Sequence, residues 1–505
     1  MANVEKEKKS KVSYTKEQQQ CIDERNKNLL ISASAGSGKT STMIERIKTM
    51  IINGEASVQD LLVITFTKAS ASDMKNKLVE GLEKIENKSD FIKEQLLEIN
   101  LANISTIHSF CSKLIRTYFY EVGLDPSFVL IDEIESNSLK DKALTKLIDD
   151  AFVENDENFI KIYEILSTKR SEESLRSIIL NFHNFTTNLV DPDKWFEKTI
   201  KETYSLDFAR NSTINYLNDY HTQIFVELKQ RTQGIRVSLM NAGQEKLVKH
   251  LNEIASNLDV IKPELNFVEN KENSKKFDEK FARFPVIKDA DEIKEFVKSF
   301  CDEIKEKVKD AKEFYLNFDE NFVKKQIEEN KKVVELLYSY VKKFDALYSE
   351  LKRDKVALDF SDLEKYTLKL FLNDVIAETI RNKFKFVFVD EYQDINEVQE
   401  KLITLVSKDD NLFMVGDVKQ SIYRFRGSEP QIFVDKYNYY KTGASSKNKS
   451  IDLNHNFRSH SNILNFSNEI FMRSMTKDFG GVDYVSSSML KKGNPDKQKF
   501  QICLL

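Results

Sequence analysis

Short apolar runs alternate with helical patterns in the first quarter of the chain. The runs lie at residues 28–32, 61–65 and 104–107. Each is followed by a turn of small or polar residues and then by a segment with helical periodicity, at 42–52, 69–80 and 110–120. Buried strands that alternate with helices are typical of an α/β domain built on a mostly parallel sheet. The pattern therefore predicts this fold class for residues 14–124.

The pattern changes at about residue 125 and changes back at about residue 376. Between these points apolar residues recur at spacings of three and four, as at Val297, Phe300, Ile304 and Val308. This is the spacing of amphipathic helices. Strand-like runs followed by polar turns return over 376–461. We therefore predict an all-helical insertion at 125–375 that interrupts one α/β domain, with polar stretches such as 270–280 as loops.

The two ends of the chain follow neither pattern. Residues 1–13 are rich in charged side chains and predict a disordered tail. Residues 462–475 predict a helix, and the apolar run at 500–505 predicts the start of another strand. A chain that stops on a new strand leads us to expect that 462–505 is the truncated start of a second α/β domain.

Composition narrows the class of protein further. The chain has 505 residues with 13 glycines and 6 prolines, which is too few turn formers for a fold made mainly of hairpins. No apolar run reaches the roughly 18 residues of a membrane span, and the charged N-terminus is not a secretory signal. The net charge of −4 neither indicates nor excludes a nucleic-acid partner. The cysteines form no CxxC pair, so we expect no zinc site or disulfide framework and a cytoplasmic protein; they are Cys21, Cys111, Cys301 and Cys503.

The strongest chemical signal is a phosphate-binding loop between the first strand and the helix that follows it. Small residues let backbone N–H groups surround a triphosphate, and the helix N-terminus adds positive potential. We expect Lys39 to reach the β- and γ-phosphates of ATP and Thr40 to ligate Mg²⁺. The loop residues are Ala33, Ser34, Ala35, Gly36, Ser37, Gly38, Lys39 and Thr40.

A phosphate loop of this kind needs an acidic partner, which we expect on a neighbouring strand. Two apolar runs end in Asp-Glu, at Asp132-Glu133 and at Asp390-Glu391. The first leads directly into helical texture and is interpreted as helix capping or solvated charge. The second follows an unbroken apolar strand. Asp390 is therefore expected to hold the Mg²⁺ ion, and Glu391 to orient and deprotonate the attacking water.

A third strand ends at Gly416 and leads into a turn with aromatic and basic residues. Gln420 in this turn can sense the γ-phosphate without carrying charge. Tyr423 and Phe425 alternate with arginines, including Arg426. Such interleaving is typical of surfaces that stack bases and contact phosphates, although taken alone it is more often found in core aromatics beside solvated arginines.

Hydroxyl and aromatic side chains also follow two of the early strands. Ligands of α/β sheets bind beyond the carboxyl ends of the strands, so we expect this group to contact nucleic acid. A helix-capping or core role is the alternative for His108. The residues are Thr65, Phe66, Thr67, Thr106, His108 and Ser109.

The segment 454–459 carries one of the few arginines of the chain. An arginine delivered to a γ-phosphate stabilises the charge of the transition state, which is the role we expect for Arg458. Phe457 is expected to stack on adenine.

These blocks, in this order, resemble the UvrD/Rep-like superfamily 1 DNA helicases. Gln18 matches the adenine-reading Q motif of that family, and the loop at 33–40 matches its motif I. The further matches are 65–75 with motif Ia, 105–111 with the next DNA-contacting block, 358–363 with the element before motif II, 390–394 with motif II, 416–427 with motif III and 456–459 with motif IV. The resemblance implies a P-loop NTPase with a RecA-like parallel sheet, motor domain 1A, interrupted by the helical insertion 1B. It also implies ATP-dependent 3′→5′ unwinding, with single-stranded DNA and duplex ends as partners.

Within that family the chain is most similar to AddA-type helicase–nucleases, which implies a role in double-strand-break repair and a heterodimer with an AddB-like subunit. Lys419 and Phe425 stand where the UvrD/Rep branch has an acidic residue and tryptophan. Lys68 departs from the commoner asparagine of motif Ia. Motifs V and VI and the nuclease carboxylates find no match, so the chain resembles roughly the N-terminal two-fifths of such a protein, and we expect it to bind ATP without unwinding DNA by itself.

Three alternatives remain open. A UvrD-like or RecB-like helicase of the same superfamily would differ in sequence beyond residue 505. A non-catalytic ATP- or nucleic-acid-binding module would bind DNA without turnover. An SMC- or ABC-type ATPase is disfavoured because the chain has no LSGG-like signature.

Overall fold

The computed structural model describes residues 14–167, 171–278, 280–281, 283–286, 291–476 and 483–493. The predicted N-terminal tail and the predicted strand at 500–505 lie outside the described residues. The α-helices are α1 Lys16–Asp23, α2 Lys39–Ile52, α3 Lys68–Glu83, α4 Asp90–Glu98, α5 Ile107–Thr117, α6 Glu133–Val153, α7 Glu157–Leu166, α8 Glu173–Thr186, α9 Pro192–Thr203, α10 Leu206–Ala209, α11 Asn215–Asn241, α12 Glu245–Ala255, α13 Phe267–Ser274, α14 Asp291–Asn317, α15 Glu320–Asp354, α16 Phe360–Leu370, α17 Asp374–Lys383, α18 Glu397–Val406, α19 Pro430–Lys441 and α20 Ser461–Ser474. The strands are β1 Asn28–Ala33, β2 Leu61–Thr65, β3 Asn103–Thr106, β4 Val129–Leu130, β5 Ala357–Leu358, β6 Phe386–Val389, β7 Leu412–Gly416, β8 Asn448–Leu453, β9 His455–Asn456 and β10 Lys491–Lys492.

A parallel sheet forms the centre of the α/β part. Within the described ranges it has six strands in the order β3-β2-β6-β7-β1-β8, and every neighbouring pair is parallel. The predicted α/β fold with a parallel sheet is therefore confirmed. All six strands end at the same edge, so the loops that follow them meet there.

Both faces of the sheet are buried, and the strands alternate between them. Leu30, Val387 and Met414 pack into the core on one face, and Leu29, Phe388 and Phe413 pack into the core on the other. Successive side chains of a strand point to opposite faces. This is why the strands appear in the sequence as unbroken apolar runs.

Order along the sheet differs from the prediction in one respect. The strand that carries Asp390 was expected next to the strand that precedes the phosphate loop. Instead β7 lies between β1 and β6, and Met414 pairs with Leu30 on one side and with Val389 on the other. The acidic partner therefore reaches the loop across an intervening strand.

The chain divides into two compact units. One contains the described residues up to Pro192 and from Tyr340 onward, and the other is Asp193–Ser339. The helical unit is thus shorter than the predicted insertion at 125–375. Residues at both ends of the predicted insertion belong with the sheet: β4 pairs with β5, and Ser136 Oγ lies 2.8 Å from Tyr348 Oη.

The helical unit has its own apolar core. Val297, Phe300, Ile304 and Val308 on α14 are buried in it, as their spacing predicted. A loop was predicted at 270–280, but α13 Phe267–Ser274 covers the first half of that stretch.

Polar contacts explain α13, which the apolar pattern could not indicate. Asn266 and Glu269 form a capping box at its start. Asn270 is fully buried, and its Nδ2 donates to Asn218 Oδ1 over 3.0 Å. The free energy that orders this helix comes from hydrogen bonds, not from an apolar stripe.

Two further predictions are confirmed. Asp132 caps α6 by accepting a hydrogen bond from Glu135 N over 2.9 Å, so the first Asp-Glu pair is helix capping and lies outside the main sheet. The helix predicted at 462–475 is α20. In the part of the chain that the structure describes, no helix is both long and apolar enough to cross a membrane.

Candidate functional site

The loop after β1 folds back tightly on itself before α2 begins. Gly36 has φ +71° and Gly38 has φ +82°, conformations that side chains other than glycine rarely adopt. A Cβ atom on Gly36 would also lie 2.8 Å from Asn456 Nδ2. Glycine is therefore required at both positions by the course of the backbone.

Polar groups of this loop are left open. Ser34 Oγ and Ser37 Oγ are buried and lack a hydrogen-bond partner among the described residues. Helix α2 begins at Lys39 without a side-chain cap, so its first N–H groups are available to an anion. Ala35 is exposed, and Thr40 is half-buried in the first turn. These features fit a bound triphosphate.

Gln18 contacts the loop from α1. Its Nε2 donates to Ser37 O over 2.9 Å, and its Oε1 accepts from Thr15 N over 2.9 Å. The same amide lies against Gly38, where an added Cβ would be 3.1 Å from Gln18 Nε2. In this structure Gln18 supports the shape of the phosphate loop; a contact with adenine remains a prediction.

The acidic pair at the end of β6 faces the phosphate loop. Lys39 Nζ lies 3.2 Å from Glu391 Oε2. Glu391 itself has φ +51°, a left-handed conformation that is uncommon for glutamate and that clusters at functional sites. Asp390 is buried, and its backbone N donates to Ile64 O over 2.9 Å.

Burial, with a smaller contribution from the charge of Glu391, raises the pKa of Asp390 to about 6. The same two causes raise the pKa of Asp394 to about 6. Lys39 acts in the opposite direction on both carboxyls. A site that concentrates carboxylates in this way is suited to a cation or to proton transfer.

Hydrogen bonds link the acidic pair to the turn after β7. Gln393 Nε2 donates to Glu391 Oε2 over 3.0 Å, and Asp417 N donates to Gln393 Oε1 over 2.8 Å. Asp417 then accepts from Gln420 Nε2 over 2.6 Å and pairs with Lys419 Nζ at 2.7 Å. Gln420, the predicted γ-phosphate sensor, is thus connected to the predicted catalytic base.

Gln393 and Asp417 were not predicted as site residues. One signal in the sequence is Gly416, where an added Cβ would lie 2.6 Å from Gln393 Oε1. A glycine at the end of a buried strand indicates that something approaches the backbone closely, but it does not name the partner.

The segment after β8 closes against the phosphate loop. Asn456 Nδ2 donates to Ala35 O over 2.7 Å, and Phe457 N donates to Gly36 O over 2.9 Å. Phe457 is half-buried and Arg458 is exposed. Sequence reasoning selected Phe457 and Arg458 but missed Asn456, which makes the direct side-chain contact.

Aromatic rings from two strand ends meet on the surface. Phe66 and Tyr423 have ring centroids 4.6 Å apart, and Tyr423 and Phe425 have centroids 6.1 Å apart. The Arg426 guanidinium lies 5.8 Å from the Tyr423 ring and 5.6 Å from the Phe425 ring. Phe425 is 78% exposed and Phe66 is 37% exposed, so apolar rings face solvent beside a cation.

The predicted DNA-contacting hydroxyls are largely engaged in local structure. Thr65 is buried, and its Oγ1 donates to Thr67 O over 3.0 Å. Thr67 caps α3 by accepting from Ser70 N. Thr106 caps α5 in the same way through Ser109 N, and the two hydroxyls lie 2.9 Å apart. Thr65 therefore presents no hydroxyl to a ligand in this structure, because the strand-to-helix turns use these groups as caps.

His108 contacts a buried carboxylate. Its Nε2 lies 3.1 Å from Glu364 Oε1, and its ring lies 4.9 Å from that of Phe360. The histidine remains partly exposed. It occupies the border between the interior and the predicted nucleic-acid surface.

Comparison with known families agrees with this geometry. Residues 14–441 match the UvrD/REP helicase N-terminal domain. The match covers most of the chain, and the protein belongs to this family.

Curated relatives narrow the resemblance. Each of those compared is named as the AddA subunit of the ATP-dependent helicase/nuclease. The chain is 34% identical over 493 residues to the protein of that name from Alkaliphilus oremlandii, covering 95% of this chain and 41% of that protein. It is 34% identical over 504 residues to the one from Listeria monocytogenes serovar 1/2a, with coverage of 95% and 41%. For the one from Clostridioides difficile the identity is 32% over 526 residues, with coverage of 96% and 40%. The chain thus spans about two-fifths of the length of the curated relatives it matches.

Proposed function

We propose that the chain is the ATP-binding part of an AddA-like DNA helicase. The sheet with its phosphate loop is then a RecA-like motor domain 1A, and the helical unit is its insertion 1B. The observation that carries the proposal is the pairing of Lys39 with Glu391, because it joins the loop that would hold the triphosphate to the carboxylate that would activate water.

The residues present fit ATP with a divalent metal. Thr40 and Asp390 would hold Mg²⁺, which supplies charge neutralisation at the β- and γ-phosphates when bound. The open serine hydroxyls and the uncapped α2 would receive phosphate oxygens, and Gln18 and Phe457 would contact the adenine.

Lys39 has two exclusive partners in this scheme. In the structure it pairs with Glu391, and with ATP bound its ammonium would turn to the β- and γ-phosphates. Glu391 would then be free to orient and deprotonate the attacking water. Gln393, Asp417 and Gln420 form a hydrogen-bonded path from Glu391 to the aromatic turn, and Arg458 is exposed and able to approach the γ-phosphate.

The same turn offers a reason for coupling to DNA. A change at the γ-phosphate felt by Gln420 is three residues away from Tyr423, whose ring packs on Phe66. Stacking of bases on Phe66, Tyr423 and Phe425, with Arg426 beside the phosphates, would hold single-stranded DNA without sequence preference. Because the curated relatives are more than twice as long, unwinding in the 3′→5′ direction at duplex ends, a role in double-strand-break repair in the cytoplasm and pairing with an AddB-like partner are proposed for the complete protein.

Unwinding of tailed duplexes by the complete protein tests this proposal. A duplex with a 3′ single-stranded tail is expected to be unwound with ATP and Mg²⁺, while a duplex with a 5′ tail is not. The Glu391→Gln variant serves as the control, since it should bind both substrates and unwind neither. Equal unwinding by wild type and variant would contradict the proposed role of the acidic pair.

A further inference from the structure

Glu364 on α16 is a buried carboxylate that touches three separate parts of the chain. It is 3% exposed. Its Oε1 lies 3.1 Å from His108 Nε2 and accepts from Gln399 Nε2 over 2.7 Å. Its Oε2 accepts from Asn396 Nδ2 over 3.4 Å. One side chain therefore joins α5 to the start of α18.

The two amides are held in the orientation that Glu364 requires. Asn396 Oδ1 accepts from Gln399 N over 2.7 Å, and Gln399 Oε1 accepts from Asn396 N over 3.4 Å, in the capping box of α18. The backbone thus occupies both amide oxygens, and both NH₂ groups are directed to the carboxylate. Since a carboxylate accepts at both oxygens and donates at neither, this position favours an ionised acid.

Asn396 continues the contact to the aromatic turn. Its Nδ2 also donates to Asn188 Oδ1 over 2.9 Å. Asn188 packs on Gly427, where an added Cβ would lie 2.4 Å from Asn188 Nδ2. Gly427 has φ +84° and ends the turn that carries Phe425 and Arg426. The amide of Asn188 therefore lies against the backbone that aims these two side chains.

We propose that Glu364 is a positioning residue that holds His108 and the Phe425–Arg426 turn in register with each other through Asn396 and Asn188. The inference rests on the proposed function, because it assigns the two ends of this contact to one surface for single-stranded DNA. Glu364 itself touches no nucleotide and acts through its neighbours. Loss of its charge would leave two amide NH₂ groups facing an NH₂ group and would release both ends of the surface.

ATP hydrolysis by the complete protein, measured against rising concentrations of single-stranded polythymidine, tests the proposal. Glu364→Gln is expected to raise the half-saturating DNA concentration by about fivefold or more, with the DNA-free rate and the KM for ATP unchanged. Asp362→Asn is the matched control. It removes a buried carboxylate from the same helix, but one whose partner is Lys352 at 2.5 Å and not the amides.

Asn188→Ala provides a second, milder variant, since Asn188 is half-buried. It should raise the half-saturating DNA concentration in the same direction. The double variant should be no worse than Glu364→Gln alone, because residues that act through one contact are not additive. Additive effects, or a loss of DNA-free hydrolysis and melting temperature in parallel with DNA response, would overturn the inference.

The wild type separates the two levels of the argument. If wild-type hydrolysis does not respond to DNA, the proposed function fails and this inference fails with it. If the wild type responds and Glu364→Gln has the wild-type half-saturating concentration, the inference alone is overturned.

Discussion

Lys39 Nζ lies 3.2 Å from Glu391 Oε2, although the two residues are separated by 352 positions in the sequence. The ion pair joins the phosphate loop after β1 to the end of β6, across the intervening β7. Both side chains are partly exposed, so the pair can open when a phosphate competes for the lysine. This relationship is the basis of the first prediction.

Glu391→Gln should separate nucleotide binding from turnover. The amide can still contact Lys39 but cannot accept the proton of the attacking water. We expect ATP affinity equal to or tighter than wild type and hydrolysis lower by about 10²-fold or more. Parallel measurements of the Kd for a non-hydrolysable ATP analogue and of phosphate release check this. Near-normal phosphate release would assign the base to another residue.

Phe425→Ala should weaken binding of single-stranded DNA without affecting stability. The ring is 78% exposed, so its removal leaves no cavity, while loss of one stacked base costs about 1–3 kcal/mol. Fluorescence anisotropy of a labelled oligonucleotide measures the Kd.

Ile422→Ala is the control for that experiment. Ile422 belongs to the same turn and is 69% exposed, but it has no π face for a base. If both variants bind DNA equally well, the aromatic surface has been assigned the wrong role.

His183 should make the sheet-containing unit less stable in mild acid. Burial, partly offset by the hydrogen bond with Asp345, holds the pKa of His183 below its ordinary 6.5. The unfolded chain then takes up a proton that the folded chain resists, so the free energy of unfolding falls as the pH drops below about 6.5. His183→Gln keeps a donor for Asp345 and does not titrate. Its melting temperature should therefore fall less than that of wild type between about pH 7.5 and about pH 5.5; identical pH profiles would exclude this contribution.

Val356→Gly should stabilise the same unit. Val356 has φ +50°, and a β-branched residue in this left-handed conformation is strained by about 1–3 kcal/mol. Removing the side chain relieves the strain and outweighs the roughly 0.5–1 kcal/mol entropic cost of glycine. Val356 is partly exposed, so little apolar burial is lost.

The exposed Val153 at the end of α6 offers the opposite case. It has ordinary helical geometry, so Val153→Gly should destabilise the unit by up to about 1 kcal/mol. Thermal melting of both variants compares the two signs. A lower melting temperature for Val356→Gly would show that the backbone strain at this position is smaller than the entropic cost of glycine.

Local elements could be predicted from the sequence because apolar period and turn residues act within a few positions. Strand β2 has the predicted bounds, and β1, β3, α3 and α20 begin within one residue of the predictions. The insertion of β7 between β1 and β6 could not be predicted, because no local pattern specifies which of several buried strands are neighbours.

The chemistry of the candidate site shows the same division. Charged and glycine positions such as Lys39, Asp390 and Gly36 are visible because few other residues suit those tasks. Asn456, Gln393 and Glu364 are not visible, since an amide or carboxylate obtains its role from partners far away in the sequence. The hydroxyls of Thr67 and Thr106 were assigned to DNA, although a threonine between a strand and a helix equally well predicts an N-cap.

Binding of Mg²⁺-ATP to the chain tests the central claim most directly. Titration calorimetry should compare wild type with Lys39→Ala and with Lys48→Ala, a change farther along the same helix where the lysine pairs with Glu45. The account predicts saturable binding of one nucleotide by wild type and by Lys48→Ala, and loss of that binding in Lys39→Ala. Equal binding by all three proteins would contradict the assignment of this loop to the phosphates.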